Sequence, residues 1–145
     1  MKKLIVCLFI LFAVSCKENQ KNGNFIIDEC VGASFYYLDN QTAQSFFIQF
    51  SAPILNSQID TTIVINAKQR VLIGQDAIFG SIPRPTDTFS RFALYTLVDG
   101  KKNIIYRQDP VQDAIWVKRK FNPADPDSGC HRVDYTLALT NDLLK

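Results

Sequence analysis

The residues able to do chemistry in this chain are few, and their positions narrow what that chemistry could be. There is one histidine, His131, and there are four cysteines, Cys7, Cys16, Cys30 and Cys130. A Ser-His-Asp or Cys-His catalyst would have to use His131, beside a cysteine that competes for a disulfide. A hydrolase would need Asp125 or Asp127 to converge on His131 in a cleft. No Gly-x-Ser-x-Gly, His-Glu-x-x-His or phosphate-cradling glycine loop occurs. Cys130 and His131 are adjacent, which suits a tetrahedral metal site poorly, and no second Cys/His pair exists. In Asn122–Gly129, NPADPDSG, Asp125 and Asp127 alternate like calcium ligands. No later carboxylate completes that pattern, and turn-forming Asp and Pro account for it without an ion. Paired carboxylates for glycoside hydrolysis meet only in three dimensions, so spacing leaves them open. The expectation is a non-catalytic protein with no metal and no cofactor.

The N-terminus carries an address. Lys2 and Lys3 precede an apolar run, Leu4 to Val14, closed by Ser15 and Cys16, in the order of a secretory signal. The run holds 11 residues, whereas a helix needs ~20 to cross a bilayer core. It is too short for a permanent span. Ala13-Val14-Ser15-Cys16 resembles the bacterial lipobox, in which small residues precede a cysteine that is lipidated and becomes the first mature residue. The lipobox usually has Leu where Ala13 stands, and Ala13-Val14-Ser15 also fits an ordinary cleavage site. The resemblance implies removal of residues 1–15 and a lipid on Cys16. Each buried methylene contributes ~0.8 kcal/mol, so two or three acyl chains anchor a protein stably. Residues 16–24 contain no apolar side chain after Cys16 and read as a flexible tether, leaving 25–145 as one domain. Lys17-Glu18 resembles the surface-export signals of Bacteroidetes-type lipoproteins, although any solvated linker has this composition. The implied location is the cell envelope, at the outer membrane, facing the periplasm or the surface.

Two lysines leave with the signal, so the 16 basic residues of the whole chain fall to the same number as its 14 acidic ones. A neutral mature chain argues against nucleic acid as a partner, since phosphates must be neutralised by Lys and Arg, and against a bulk polybasic membrane patch. Cys7 also leaves with the signal and Cys16 would carry lipid. Cys30 and Cys130 then remain for the folded part, and an oxidising compartment favours a disulfide between them. It would close a loop of about 100 residues, worth ~4.7 kcal/mol in the chain-entropy model. Two separate buried thiols are the alternative.

Alternation with period two positions these residues. In Arg132–Thr140, Val133, Tyr135, Leu137 and Leu139 share one face while Arg132, Asp134 and Thr136 share the other, as in a half-buried strand. Ser45–Ser51 and Thr61–Asn66 read the same way, and Ala33–Asp39, Ala114–Phe121 and Phe25–Asp28 are further strands. Turn chemistry predicts one hairpin at Asn66–Gln69, joining Thr61–Ile65 to Arg70–Ile73, and another at Asp99–Lys102, joining Phe92–Val98 to Ile104–Tyr106. About seven to nine short strands without an amphipathic helix imply an all-β, antiparallel, immunoglobulin-like sandwich. A lipocalin-like barrel is the alternative, disfavoured because no Gly-x-Trp opening is present and Trp116 lies late in the chain.

Gln75–Ser90 reads as a long loop, since Pro83 and Pro85 break regular pairing. Its Ile78, Phe79, Arg84 and Phe89 either contact a partner or fold back over an open end of the sandwich or into an extra edge strand. Lys118-Arg119-Lys120 fits a lysine-protected edge strand better than an anion site. Tyr36, Tyr37, Phe46, Phe47 and Phe50 could line a carbohydrate platform, but core packing explains them as well. A ligand pocket would gather several of Tyr36, Tyr37, Phe47, Tyr95, Tyr106 and Trp116. Asp60-Thr61-Thr62 resembles the tripeptide that exported Bacteroidetes proteins use for O-glycosylation, which would place a sugar on Thr61. The expected function is a lipid-anchored interaction module or accessory subunit of an envelope complex, with a small-ligand or glycan binder as the alternative.

Overall fold

In the computed structural model residues 30–55, 58–126 and 129–144 are described. The predicted strand Phe25–Asp28 and the lipobox Cys16 lie outside them. Eight strands form: β1 Val31–Asn40, β2 Phe46–Ala52, β3 Gln58–Ile65, β4 Arg70–Phe79, β5 Arg91–Val98, β6 Lys101–Gln108, β7 Val117–Lys120 and β8 Arg132–Leu139. The alternating residues behave as period two demands. In β8 Val133, Tyr135, Leu137 and Leu139 are buried, and in β2 Phe46, Ile48 and Phe50 are.

The strands build two four-stranded sheets, sheet A in the order β4-β1-β8-β7 and sheet B in the order β3-β2-β5-β6. Their inner faces pack together as an immunoglobulin-like sandwich, and the barrel alternative is set aside because neither sheet closes on itself. All strand pairings are antiparallel except β1 with β8, where Ala33 to Asn40 run alongside Arg132 to Leu139 in the same direction. Two positions that lie 100 residues apart in sequence meet at the start of this parallel pair, where Cys30 and Cys130 are bonded with Cα atoms 5.2 Å apart.

The hairpin at Asp99 forms as predicted, with a shorter turn, Lys101 and Lys102 already pairing in β6. Asp99 and Gly100 both take positive φ, 51° and 74°, the geometry of a two-residue hairpin between β5 and β6. The Asn66–Gln69 turn is real but joins no hairpin: β3 pairs with β2 in sheet B, while β4 pairs with β1 in sheet A. The connection carries the chain across the sandwich, so Ile65 and Ile73 reach the same core from opposite sheets. The region predicted as a loop from Gln75 also differs. β4 continues to Phe79 against β1, and only the segment after it is irregular, with a four-residue helix α1, Pro85–Thr88. The predicted strand Ala114–Phe121 is shorter than expected, a 3₁₀ turn at Asp113–Ile115 preceding β7.

Candidate functional site

The interior is filled by side chains. Tyr36 stacks on Tyr135 with ring centroids 5.7 Å apart, and Phe89 lies edge-on to Tyr36 at 5.0 Å and parallel to Trp116 at 6.1 Å. Phe50 and Phe92 complete the cluster. Of the six residues that a ligand pocket would have gathered, Tyr36 and Trp116 are therefore core, with Tyr106 packed against it. Tyr37 and Phe47 lie on the outer faces of different sheets. The five-residue carbohydrate platform is divided in the same way, because Tyr36, Phe46 and Phe50 point inward. Neighbours in a strand necessarily face opposite ways.

The segment after β4 is tied into this core. Ser34 Oγ donates to the Pro83 carbonyl at 2.5 Å, and the Tyr36 hydroxyl lies 2.7 Å from Thr88 Oγ1, which donates to Asp76 Oδ2 at 2.8 Å. Burial pushes the Tyr36 phenol well above the ordinary tyrosine range, the Thr88 hydrogen bond acting against it. Arg84 caps α1: its backbone N–H and guanidinium both donate to the Asp87 carboxylate, which this hydrogen bonding holds below the usual carboxylate range. Thr86 donates twice to Asp113. The four residues singled out in this region do not form one surface. Phe89 is buried in the core, Arg84 is engaged with Asp87 and Asp113, and Ile78 and Phe79 end β4.

Among the described residues no acid–base pair forms at His131. Both of its ring nitrogens are shielded from solvent without a hydrogen-bond partner, as is Trp116 Nε1. Asp125 Oδ1 instead accepts from Asn122 Nδ2 at 3.1 Å, the turn role expected of it, and Asp127 lies outside the described residues. Among the described residues no cluster of His, Cys, Asp or Glu could hold a metal ion. Thr61 sits half-buried on the edge strand β3, opposite Phe50 and on its core-facing side. Lys118 and Lys120 share the register face of Tyr135 and Val133, while Arg119 lies opposite Asp134 on the outer face.

What remains is on the outer faces. Across sheet B a single register row runs through all four strands: Val64 opposite Phe47, Phe47 opposite Tyr95, and Tyr95 opposite Ile104. Phe47 and Tyr95 stack with centroids 5.2 Å apart. Lys102 Nζ lies 4.7 Å over the Tyr95 ring and donates to Gln49 Oε1. The two ends of the row, Val64 and Ile104, are 49% and 55% exposed. Beside Ile104 a concavity of about 240 Å³ is lined by Gln49, Asp60, Arg91 and Arg107. The periodicity assigned Phe47 and Tyr95 to strands, but which strands lie side by side decides the row, and one sequence does not carry that.

The outer face of sheet A is different. Arg70 lies 4.0 Å over the Tyr37 ring, and Arg132 lies 3.9 Å from both the Phe35 and Phe121 rings. Arg132 Nε also donates to Asp134. These guanidiniums cover aromatic rings that would otherwise face water. No protein-family model matches the chain, and a comparison with curated proteins finds no relative.

Proposed function

We propose that this chain is a lipid-anchored cell-envelope protein that acts without catalysis, as an interaction module or accessory subunit. The contact surface is the sheet B row whose exposed ends are Val64 and Ile104, with half-buried Phe47 between them stacked on Tyr95, itself only 5% exposed and serving as the support of the row. The carrying observation is that this row crosses every strand of one sheet with an apolar centre and a polar margin of Gln49, Lys102 and Arg107. An apolar centre with a polar rim is the anatomy of a protein–protein interface. The packed aromatic core leaves the outer faces as the surfaces for recognition.

The test is mass spectrometry of proteins that co-purify with the tagged chain after mild detergent extraction from its native membrane, repeated with Val64→Lys/Ile104→Lys. The proposal requires a stoichiometric envelope partner that the double variant loses. A partner retained by the variant refutes the row as the contact. Recovery of the chain alone favours the second reading, a glycan binder using the concavity of Gln49, Asp60, Arg91 and Arg107 beside Tyr95, and a glycan screen follows from it.

A further inference from the structure

We infer that the corner of sheet A beside the Cys30–Cys130 bond is a membrane-contact surface, on which Phe79, Val31 and Phe121 seat in the lipid interface. The inference rests on the anchoring at Cys16 proposed above. Four strands lie side by side at this corner. Val31 is opposite Phe79, and Ala33 is opposite Arg132. Phe121 N–H donates to the Arg132 carbonyl at 3.0 Å, while the Arg132 guanidinium lies over the Phe121 ring. Period two places Phe79, Val31, Arg132 and Phe121 all on the outer face. Phe79, Phe121 and Val31 are 73%, 60% and 46% exposed, which makes Phe79 the most exposed large apolar side chain among the described residues.

The occupant follows from where the chain comes in. Cys30 is the first described residue, and its carbonyl accepts from Gly80 N–H, one residue beyond Phe79. Cys16 and Cys30 are about 14 residues apart, a stretch that spans at most ~50 Å even fully extended. A lipid on Cys16 would thus confine the domain to the neighbourhood of the bilayer with this corner nearest the tether's attachment, and exposed Phe and Val beside cationic side chains then favour the interface. The cations are Arg132 over its two rings and the exposed Arg119 on β7, which shares the outer face opposite Asp134. The neighbouring acids Asp134 and Asp125 are hydrogen-bonded to Arg132 and Asn122. Sheet B then faces away from the lipid, leaving its apolar row open to a partner.

The full-length chain is reconstituted in vesicles of phosphatidylethanolamine and phosphatidylglycerol with brominated acyl chains, which quench nearby tryptophan. Phe79→Trp is compared with Leu97→Trp, an exposed position on the outer face of sheet B, with the buried Trp116 signal subtracted. The expected result is several-fold stronger quenching and a blue shift at position 79, both reduced by Arg119→Glu. Chains that float with the vesicles but are quenched equally at the two positions, or at neither, overturn the contact while leaving the anchor standing. A blue shift at position 79 that depends on protein concentration and not on bromine assigns the corner to a second copy and also overturns it. Chains that do not float and carry no acyl mass on Cys16 bring down the anchor and the contact with it.

Discussion

The Tyr36 hydroxyl and Thr88 Oγ1 lie 2.7 Å apart in the core, joining the central strand β1 to the end of helix α1. Thr88 has one proton and gives it to Asp76 Oδ2, so Tyr36 is the donor to Thr88. The chain Tyr36, Thr88, Asp76 satisfies three polar groups and holds the segment that brings Phe89 into the aromatic cluster.

Tyr36→Phe should therefore destabilise the fold by about 1–3 kcal/mol, the cost of leaving a buried acceptor unmet. Its effect should shrink as the pH rises past ~10, the value at which an unfolded tyrosine ionises. Burial raises the phenol above its ordinary value in the folded state. The folded chain thus holds a proton that the unfolded chain loses above ~10. Stability from this group is complete below that pH and is lost as the pH climbs beyond it. Urea midpoints measured between neutral pH and strong alkali should fall for the wild type and fall less for Tyr36→Phe. A variant with the same alkaline slope would show that another group, with Tyr135 as the next candidate because burial raises it too, sets the alkaline limit.

The Cys30–Cys130 bond closes the parallel pair at its start, across a sequence separation of 100. A loop of that size gives ~4.7 kcal/mol by restricting the unfolded chain, which corresponds to roughly 10–20 °C in melting temperature for a domain of this length. Cys30→Ala/Cys130→Ala, or reductant added to the wild type, should lower the melting temperature by this order. Reductant should not shift the double variant further. A wild type that melts at the same temperature with and without reductant would show that hydrogen bonds between β1 and β8 hold the ends together unaided.

Much of this architecture is written in alternation. β8 and β2 bury every second residue because one side of each packs on the opposing sheet, and Asp99-Gly100 announces its hairpin because few other pairs accept two positive φ angles in succession. The cysteine count likewise led to the Cys30–Cys130 bond. The Asn66–Gln69 turn misleads for a physical reason. A short polar connection looks the same whether the flanking strands pair or cross to opposite sheets, and both arrangements bury Ile63, Ile65 and Ile73. β4 beyond Gly74 escapes detection because it is an edge strand whose inward position is Asp76, satisfied by Thr88, and whose last residues Ile78 and Phe79 break the alternation. The sheet B row depends on registers between strands distant in sequence, which no single strand's pattern encodes.

Acid should weaken the fold through Asp60, where β3 meets β2 and β5. Arg91 donates to Asp60 Oδ1 at 2.7 Å, Ser51 Oγ donates to the same oxygen at 3.1 Å, and Ser51 stands opposite Arg91 in the ladder. The Arg91 hydrogen bond, followed by that from Ser51, holds the Asp60 carboxyl below the usual carboxylate range. Asp87 is lowered in the same way by Arg84. A carboxyl depressed in the folded state binds fewer protons there than in the unfolded chain. Its stabilisation is present above the unfolded value of ~3.9 and drains away as the pH falls through the folded one. Asp60 takes a left-handed backbone with φ 51°, so asparagine, which tolerates that region, removes the charge while keeping the turn. Urea midpoints between neutral pH and strong acid should fall modestly for the wild type below about pH 4, since both ion pairs are exposed to solvent. The double variant Asp60→Asn/Asp87→Asn should begin lower at neutral pH and lose less on acidification. If its acid slope matches the wild type, neither carboxylate is the source of acid sensitivity.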